Sequence, residues 1–465
     1  MMVDLRTTDG IYFVGIGGIG MSALALYYEQ EGFLTAGYDR SESDITRTLS
    51  DKGCFITYED SLDDVPPLFS DVKFRDRVIV VFTPAIPPDN KILSFFRKNR
   101  YRIYKRSEIL GEISSTGETV AIAGTHGKTT VSTMTAHLLK QSHVDCTAFL
   151  GGISKNYGSN LITGGGRYIV MEADEFDRSF HRLSPAMAVI TSVDADHLDI
   201  YGDHQTMIKA YNEFCSKVRK GGTLFINYRI KDRIEIPEGI KGFTYGQDAG
   251  ADYRFSGVRR SGNSYVFTIH SPSAVIGDLE FPFPGMVNIE NLTAAVALAL
   301  ECGVSVDEIR KAARGFMGVR RRFDIRVDLP GLAYIDDYAH HPEEIRACIT
   351  NVREYFKGRK VTGIFQPHLF TRTRDHADGF ARILDELDEA ILLPVYPARE
   401  LPIPGVDSDI IFSRMKLPDK KLLKPADILG ILDPGKLDVL LTIGAGDIDR
   451  LVAPIEEKLL KSRKK

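Results

Sequence analysis

Three consecutive open α/β domains are the fold this sequence predicts, and three observations carry it. Apolar runs of strand length alternate with helical patterns along nearly the whole chain, which argues parallel sheets with helices on their faces. A glycine-rich turn joins a strand to a helix twice, at Gly15–Gly20 and at Gly124–Thr130. The 465 residues correspond to about three domains at roughly 150 residues each.

The first block spans 1–114. Strand IYFVGI leads into the turn GIGGIG, then the helix GMSALALYYEQEG and a second strand, FLTAGYD. A further strand, RVIVVFT (77–83), is stopped by the breakers PAIPPDN. Gly15, Gly17 and Gly20 satisfy G-x-G-x-x-G between strand and helix. Such a turn brings backbone close to a diphosphate, with helix N–H groups and dipole facing the anion. Asp39 ends the second strand, where an acid can accept hydrogen bonds from ribose hydroxyls.

The second block spans 115–317 and begins after the polar stretch SSTGET. Strand TVAIAG runs into GTHGKTT and a helix over 129–140. Ile122 stands where a strict P-loop has glycine, so the motif is GxxGKT. Its chemistry remains legible: backbone N–H groups cradle phosphates, Lys128 reaches the β- and γ-phosphates, and Thr129 can ligate Mg²⁺. Strands RYIVMEADE (167–175) and AMAVITSVDAD (186–196) follow, each ending in acids. Ligands of open α/β sheets gather outside the carboxyl ends of strands, which suits Glu172 to a metal near Thr129. Asp174, Glu175 and Asp177 read as solvated loop charges. His197 stands among Asp194, Asp196 and Asp199, where flanking carboxylates would fix the tautomer of a metal-binding imidazole. After a helical segment and strand GGTLFIN, residues 243–285 alternate as an antiparallel insertion, and the helix NIENLTAAVALALECG (288–303) closes the block at Gly303.

The third block, 318–465, alternates strands LAYIDDY, KVTGIFQPH, EAILLPVYP and LDVLLTIGAG with helices beginning PEEIRACITNVREYF and TRTRDHADGFARILDEL. The tail KLLKSRKK reads as a solvated helix end.

A formal charge of −4 argues neither for nucleic acid nor for an acidic surface as partner. Five scattered cysteines, none in CxxC or CxxH spacing, fit a reducing compartment and no zinc site. The start MMVDLRTTDG lacks basic and apolar signal regions, and no apolar run approaches ~18 residues. A cytoplasmic protein without membrane insertion is expected, either a monomer or a weak homodimer. Two glycine loops over a hundred residues apart exceed one βαβ unit of about thirty, so the chain holds two separate phosphate-bearing ligands.

GTHGKTT, EADEFDRSF, DADHLD, PGMVNIENLTAA, GVRRRFD, DDYAHHP and QPHLFTRT, in that order, resemble the Mur ligases over nearly the whole chain. GIGGIGMSALA and DDYAHHP resemble the branch that joins L-alanine to UDP-N-acetylmuramate. The resemblance implies an N-terminal Rossmann-like UDP-sugar domain, a central P-loop ATPase-like domain, and a C-terminal Rossmann-like domain that closes over ATP and binds the amino acid. It places the sugar diphosphate on Gly15, Gly17, Gly18 and Gly20 with Asp39, and ATP on Gly124, Thr125, His126, Gly127, Lys128, Thr129 and Thr130. It further implies that Thr129 and Glu172 hold one Mg²⁺ and His197 a second. Asn288 and Asn291 resemble a nucleotide-side pair, Arg322 and Asp337 the positions closing over ATP, and His341, His368 and Arg372 the amino-acid side. Two positions depart from the pattern. Leu369 stands where relatives often carry arginine, and Asn212 where sister ligases carry a modified lysine, so that modification is not expected.

The reaction so implied begins with the sugar carboxylate attacking the γ-phosphate of ATP; the amine of L-alanine then displaces phosphate from the acyl carbon. Two rivals are a recycling ligase that joins a tripeptide to the same sugar and an NAD-dependent oxidoreductase. The first glycine loop, kept as GIGGIGM, speaks against the former. The latter leaves GTHGKTT unexplained.

Overall fold

The computed structural model describes residues 5–195, 198–262, 264–398 and 400–462. Three sheets carry the chain, as the alternating pattern predicts. The first is five-stranded and wholly parallel, in the order Phe55–Thr57, Leu34–Tyr38, Gly10–Val14, Val78–Phe82, Arg102–Lys105. Its central strand GIYFV is buried along its length, as expected where helices cover both faces. The order reverses at this strand, so a crevice opens at its carboxyl end, where the glycine loop begins.

The second sheet has ten strands. Its parallel centre runs Lys241–Gly246, Thr223–Asn227, Met187–Ile190, Glu118–Ala123, Tyr168–Glu172, Cys146–Ser154. The expected insertion extends this same sheet: Tyr253–Ser261 joins Lys241–Gly246 in parallel, and Ser264–His270 and Val275–Phe281 follow antiparallel at the edge. At the other edge Ser159–Ile162 closes an antiparallel hairpin on Cys146–Ser154. Register sets the site, because Ile122 pairs with Glu172 and Ala123 with Ile190. The metal-candidate acid therefore leaves the sheet one strand away from the GTHGKTT loop.

The first two sheets share one apolar core. Met21, Leu24 and Tyr28 of the helix Ile19–Gln30 belong to the same cluster as Phe149, Leu161 and Met171. The Asn160 side-chain amide donates to the Ile19 carbonyl at 2.5 Å and to Ser22 Oγ at 2.9 Å. Accordingly, one compact unit comprises Met1–Phe283 with Asn288–Met317, and another Pro284–Val287 with Gly318–Lys465.

The second unit contains the six-stranded sheet, ordered Asp324–Leu329, Leu332–Asp337, Val439–Ile443, Val361–Phe365, Glu389–Leu392, Lys420–Leu422. Only the hairpin formed by its first two strands is antiparallel. Tyr334, Ile364, Ile391 and Leu440 pack with Ile455 and Leu459 of the terminal helix Asp449–Ser462. All five cysteines are buried and unbonded. No helix among the described residues is long and apolar enough to cross a membrane.

Candidate active site

The first glycine loop is built for close approach. Gly15 has φ +91°, a conformation glycine adopts without strain, and Gly18 caps the helix Ile19–Gln30 with no side-chain hydrogen bond. A Cβ at Gly17 would stand 2.9 Å from Asp39 Oδ2, and one at Gly20 would stand 2.3 Å from Arg106 Nη1. Asp39, which the sequence assigns to a ribose, accepts a hydrogen bond from the Gly17 N–H at 2.8 Å. Its carboxylate thus braces the loop it was expected to assist from outside.

The second loop is held from below by the strand end at 191–194. The His126 N–H donates to Ser192 Oγ at 2.9 Å. Thr191 Oγ1 donates to the His126 carbonyl at 2.5 Å, and Thr125 Oγ1 lies 2.9 Å from Ser192 Oγ. Gly124 and Gly127 take φ +135° and +82°, which turns the chain sharply before the helix Lys128–Lys140. Thr129 is buried and Thr130 half-buried on its first turn. Asn291, on the helix Met286–Glu301, puts Oδ1 3.0 Å from the Cβ position of Gly127. Asn288 and Asn291 are both buried, inside the helix rather than at its cap.

Lys128 Nζ donates to the Gly124 carbonyl at 2.6 Å and sits 2.8–2.9 Å from both oxygens of Glu175. Burial works against its charge, but Glu175, Glu172 and Asp174 together overcome that and hold the ammonium above its usual range. Glu175, read from sequence as a solvated acid, is buried instead, because the lysine neutralises it. Asp174 is committed too, pairing with Arg106 Nη2 at 3.0 Å, and Asp177 lies 3.2 Å from Lys105 Nζ. The sequence reading missed both Glu175 and Arg106. The available signal was a third acid in EADE, 47 residues beyond a lysine that needs a buried counter-charge.

A cavity of about 110 Å³ lies between the first two sheets, lined by Gly20, Ala23, Arg106, Phe149, Gly151 and Glu172 among others. A Cβ on Gly151 would stand 2.2 Å from Glu172 Oε2, so a side chain there would displace that carboxylate. Thr129 and Glu172 supply a hydroxyl and a carboxylate, hard oxygen donors that fit Mg²⁺. Asp196 and His197 lie outside the described residues. Asp194 Oδ2 approaches His126 Nε2 at 3.6 Å.

In the second unit, Arg321 and Phe323 take left-handed φ of 61° and 46° on either side of Arg322. Arg321 is spent on Asp336 at 3.1 Å, while Arg322 lies 5.1 Å over the Tyr338 ring. Asp337 accepts from the Phe323 N–H at 2.7 Å and the Ala339 N–H at 2.8 Å. Burial nevertheless pushes its carboxyl up to about 6, against the pull of Arg322 and those two donors. His368 Nδ1 lies 3.4 Å from Arg372 Nη1, and its ring stacks 5.8 Å from Tyr396. His341, assigned to the amino-acid side, caps the helix Pro342–Tyr355, with the Glu343 N–H donating to its Nδ1 at 3.4 Å. Its neighbour His340 is the one that faces His368, at 6.0 Å between rings. Leu369 adopts φ 69° at the start of the helix Phe370–Leu384.

Three family models match the chain: "Mur ligase family, catalytic domain" over 10–117, "Mur ligase middle domain" over 122–299, and "Mur ligase, glutamate ligase domain" over 321–446. The chain is 47% identical to UDP-N-acetylmuramate–L-alanine ligase of Parabacteroides distasonis over 464 residues, all of both chains. Among solved structures, UDP-N-acetylmuramate–alanine ligase of Thermotoga maritima superposes with TM-score 0.82 at 28% identity, covering 97% of this chain and 99% of that one. A murein peptide ligase of Psychrobacter arcticus shares the fold at TM-score 0.72 and 20% identity, covering 97% and 98%. With its motifs, its three sheets and its full-length relatives in agreement, the chain belongs to the Mur ligase family.

Proposed function

We propose that this chain uses ATP to join L-alanine to the carboxylate of UDP-N-acetylmuramate. The observation that carries the reading is the cavity beside Glu172, which a sugar-binding glycine loop borders on one side. The nucleotide loop begins one strand away. A diphosphate on Gly15–Gly20 would leave the acid of the sugar within reach of that cavity, where Arg106, paired with Asp174, is the cation of the lining. Full-length identity to L-alanine ligases favours this acceptor over a tripeptide.

The chemistry follows from charge. A carboxylate is a poor acyl donor because oxide cannot leave, so its oxygen attacks the γ-phosphorus and ADP departs. The alanine amine then attacks the acyl carbon, and phosphate leaves with the carboxylate oxygen. Two anions must first meet; at ~4 Å, two unit charges repel by about 4 kcal/mol at an effective dielectric near 20. That is roughly three decades in rate. Lys128 and Arg106 would offset it, and the resemblance gives Arg322 a further cationic role. Mg²⁺ held by Thr129 and Glu172, with a second ion on His197, would supply further charge neutralisation. The resemblance gives Asp337 a role toward ATP and His341, His368 and Arg372 roles toward the amino acid; His340 lies beside His368. Such substrates suit a cytoplasmic enzyme.

Phosphate release from ATP, assayed with UDP-N-acetylmuramate and L-alanine, glycine, L-serine or a murein tripeptide, tests the reading. L-Alanine should give the fastest turnover. Release with the tripeptide but not with L-alanine would reassign the acceptor, and release with no dependence on the sugar would refute the proposal.

A further inference from the structure

Glu175 is 1% exposed, with its oxygens 2.8 and 2.9 Å from Lys128 Nζ. The lysine also donates to the Gly124 carbonyl of its own loop, so it is folded back against the turn that would cradle phosphate. The backbone of Glu175 is pinned separately. Its carbonyl accepts from Tyr201 Oη at 2.6 Å and from the Arg178 N–H at 3.0 Å. Asp177 and Arg178 then take φ 53° and 54°, a strained conformation that persists only where the surroundings enforce it. The backbone that carries the acid is therefore fixed, and the lysine stem is long and rotatable. Its ammonium faces an anchored carboxylate on one side and a phosphate-binding turn on the other.

We propose that Glu175 is a positioning residue, which holds Lys128 in the nucleotide-free protein and yields it to the triphosphate when ATP binds; this rests on the ATP reading of the loop. A buried cation without a partner is costly, so the ion pair keeps Lys128 ordered and charged before nucleotide arrives. The same pair makes ATP compete for the lysine. Part of the attraction between lysine and phosphate is thus spent on breaking a contact that already exists. Removing the acid shifts the balance one way only: the nucleotide-free state loses the counter-charge of Lys128, the nucleotide-bound state is relieved of an enclosed acid whose lysine has moved, and nucleotide binds more tightly.

The test compares the full-length protein with Glu175→Gln and Glu175→Asp by thermal denaturation and calorimetric titration, using Mg²⁺ and a β,γ-imido ATP analogue. The wild type should bind and be stabilised. Glu175→Gln should melt lower without nucleotide, gain a larger midpoint shift with it, and bind about tenfold more tightly, ~1.4 kcal/mol. Glu175→Asp should move the same way by less, and decides the matter if the glutamine variant does not fold. Equal midpoint shifts and unchanged affinity would make Glu175 a structural acid and overturn the proposal, as would weaker binding in either variant. No binding by the wild type would refute the nucleotide site itself, a failure separable from that of Glu175.

Discussion

Lys128 and Asp337 show how single side chains acquire function from what surrounds them. Lys128→Ala should lower turnover by about 10²–10³, the cost of one preorganised charge-stabilising group. It also leaves Glu175 buried without its cation, which should cost about 3–5 kcal/mol of stability. Steady-state phosphate release and denaturant unfolding measure the two effects, and near-normal turnover would contradict the assigned role. Asp337 predicts a pH effect with a definite sign. Burial lifts its folded pKa to about 6, above the 3.8 of an exposed aspartate, so folding favours the neutral acid. That stabilisation is complete below about pH 4 and is lost as pH rises through about 6. At 1.36 kcal/mol per unit, the swing is on the order of 3 kcal/mol. Asp337→Asn cannot ionise and should flatten this part of the profile; identical slopes between pH 4 and 7 in unfolding titrations would contradict it. The lysine was legible from GxxGKT alone. Glu175 was not, because EADEFD has no periodicity that distinguishes an enclosed acid from its solvated neighbours. Its burial depends on a lysine 47 residues away.

At the scale of elements, the loops explain why particular glycines stand where they do. A Cβ at Gly124 would meet Thr191 Oγ1 at 2.0 Å and the Ser192 backbone nitrogen at 2.8 Å, at a φ of +135°. Gly124→Ala should therefore destabilise by on the order of 3 kcal/mol through strain and overpacking, visible as a lowered unfolding midpoint. A midpoint equal to wild type would show that the loop can shift freely. Gly151 does different work. Gly151→Ala would crowd Glu172, and the Mg²⁺ concentration that half-saturates phosphate release should rise about tenfold. An unchanged requirement would remove Glu172 from the metal site. The strand–turn–helix carrying each phosphate loop is readable from sequence, since an apolar run, glycines and helical spacing are all local signals. The hairpin of Cys146–Ser154 and Ser159–Ile162 is not readable in the same way. Its glycines resemble loop, and its strands form because they pack against Phe149's partners on the helix Ile19–Gln30.

Over the whole molecule, three alternating blocks become three sheets, and that much follows from pattern. What pattern does not show is that the first two sheets share a core and enclose a cavity between Gly20 and Glu172. Residues such as Asn160, which fastens the hairpin to Ile19 and Ser22, act across more than a hundred positions and leave no periodic trace. The ring contact of His340 with His368 and the capping of the helix Pro342–Tyr355 by His341 leave no periodic trace either. The central claim is that the sugar acid is activated by taking the γ-phosphoryl group of ATP in that shared space. UDP-N-acetylmuramate labelled with ¹⁸O in its carboxylate, turned over with ATP and L-alanine, tests this most directly by mass spectrometry of the products. One labelled oxygen should appear in the released phosphate for each amide formed; phosphate carrying no label, alongside normal amide formation, would contradict it.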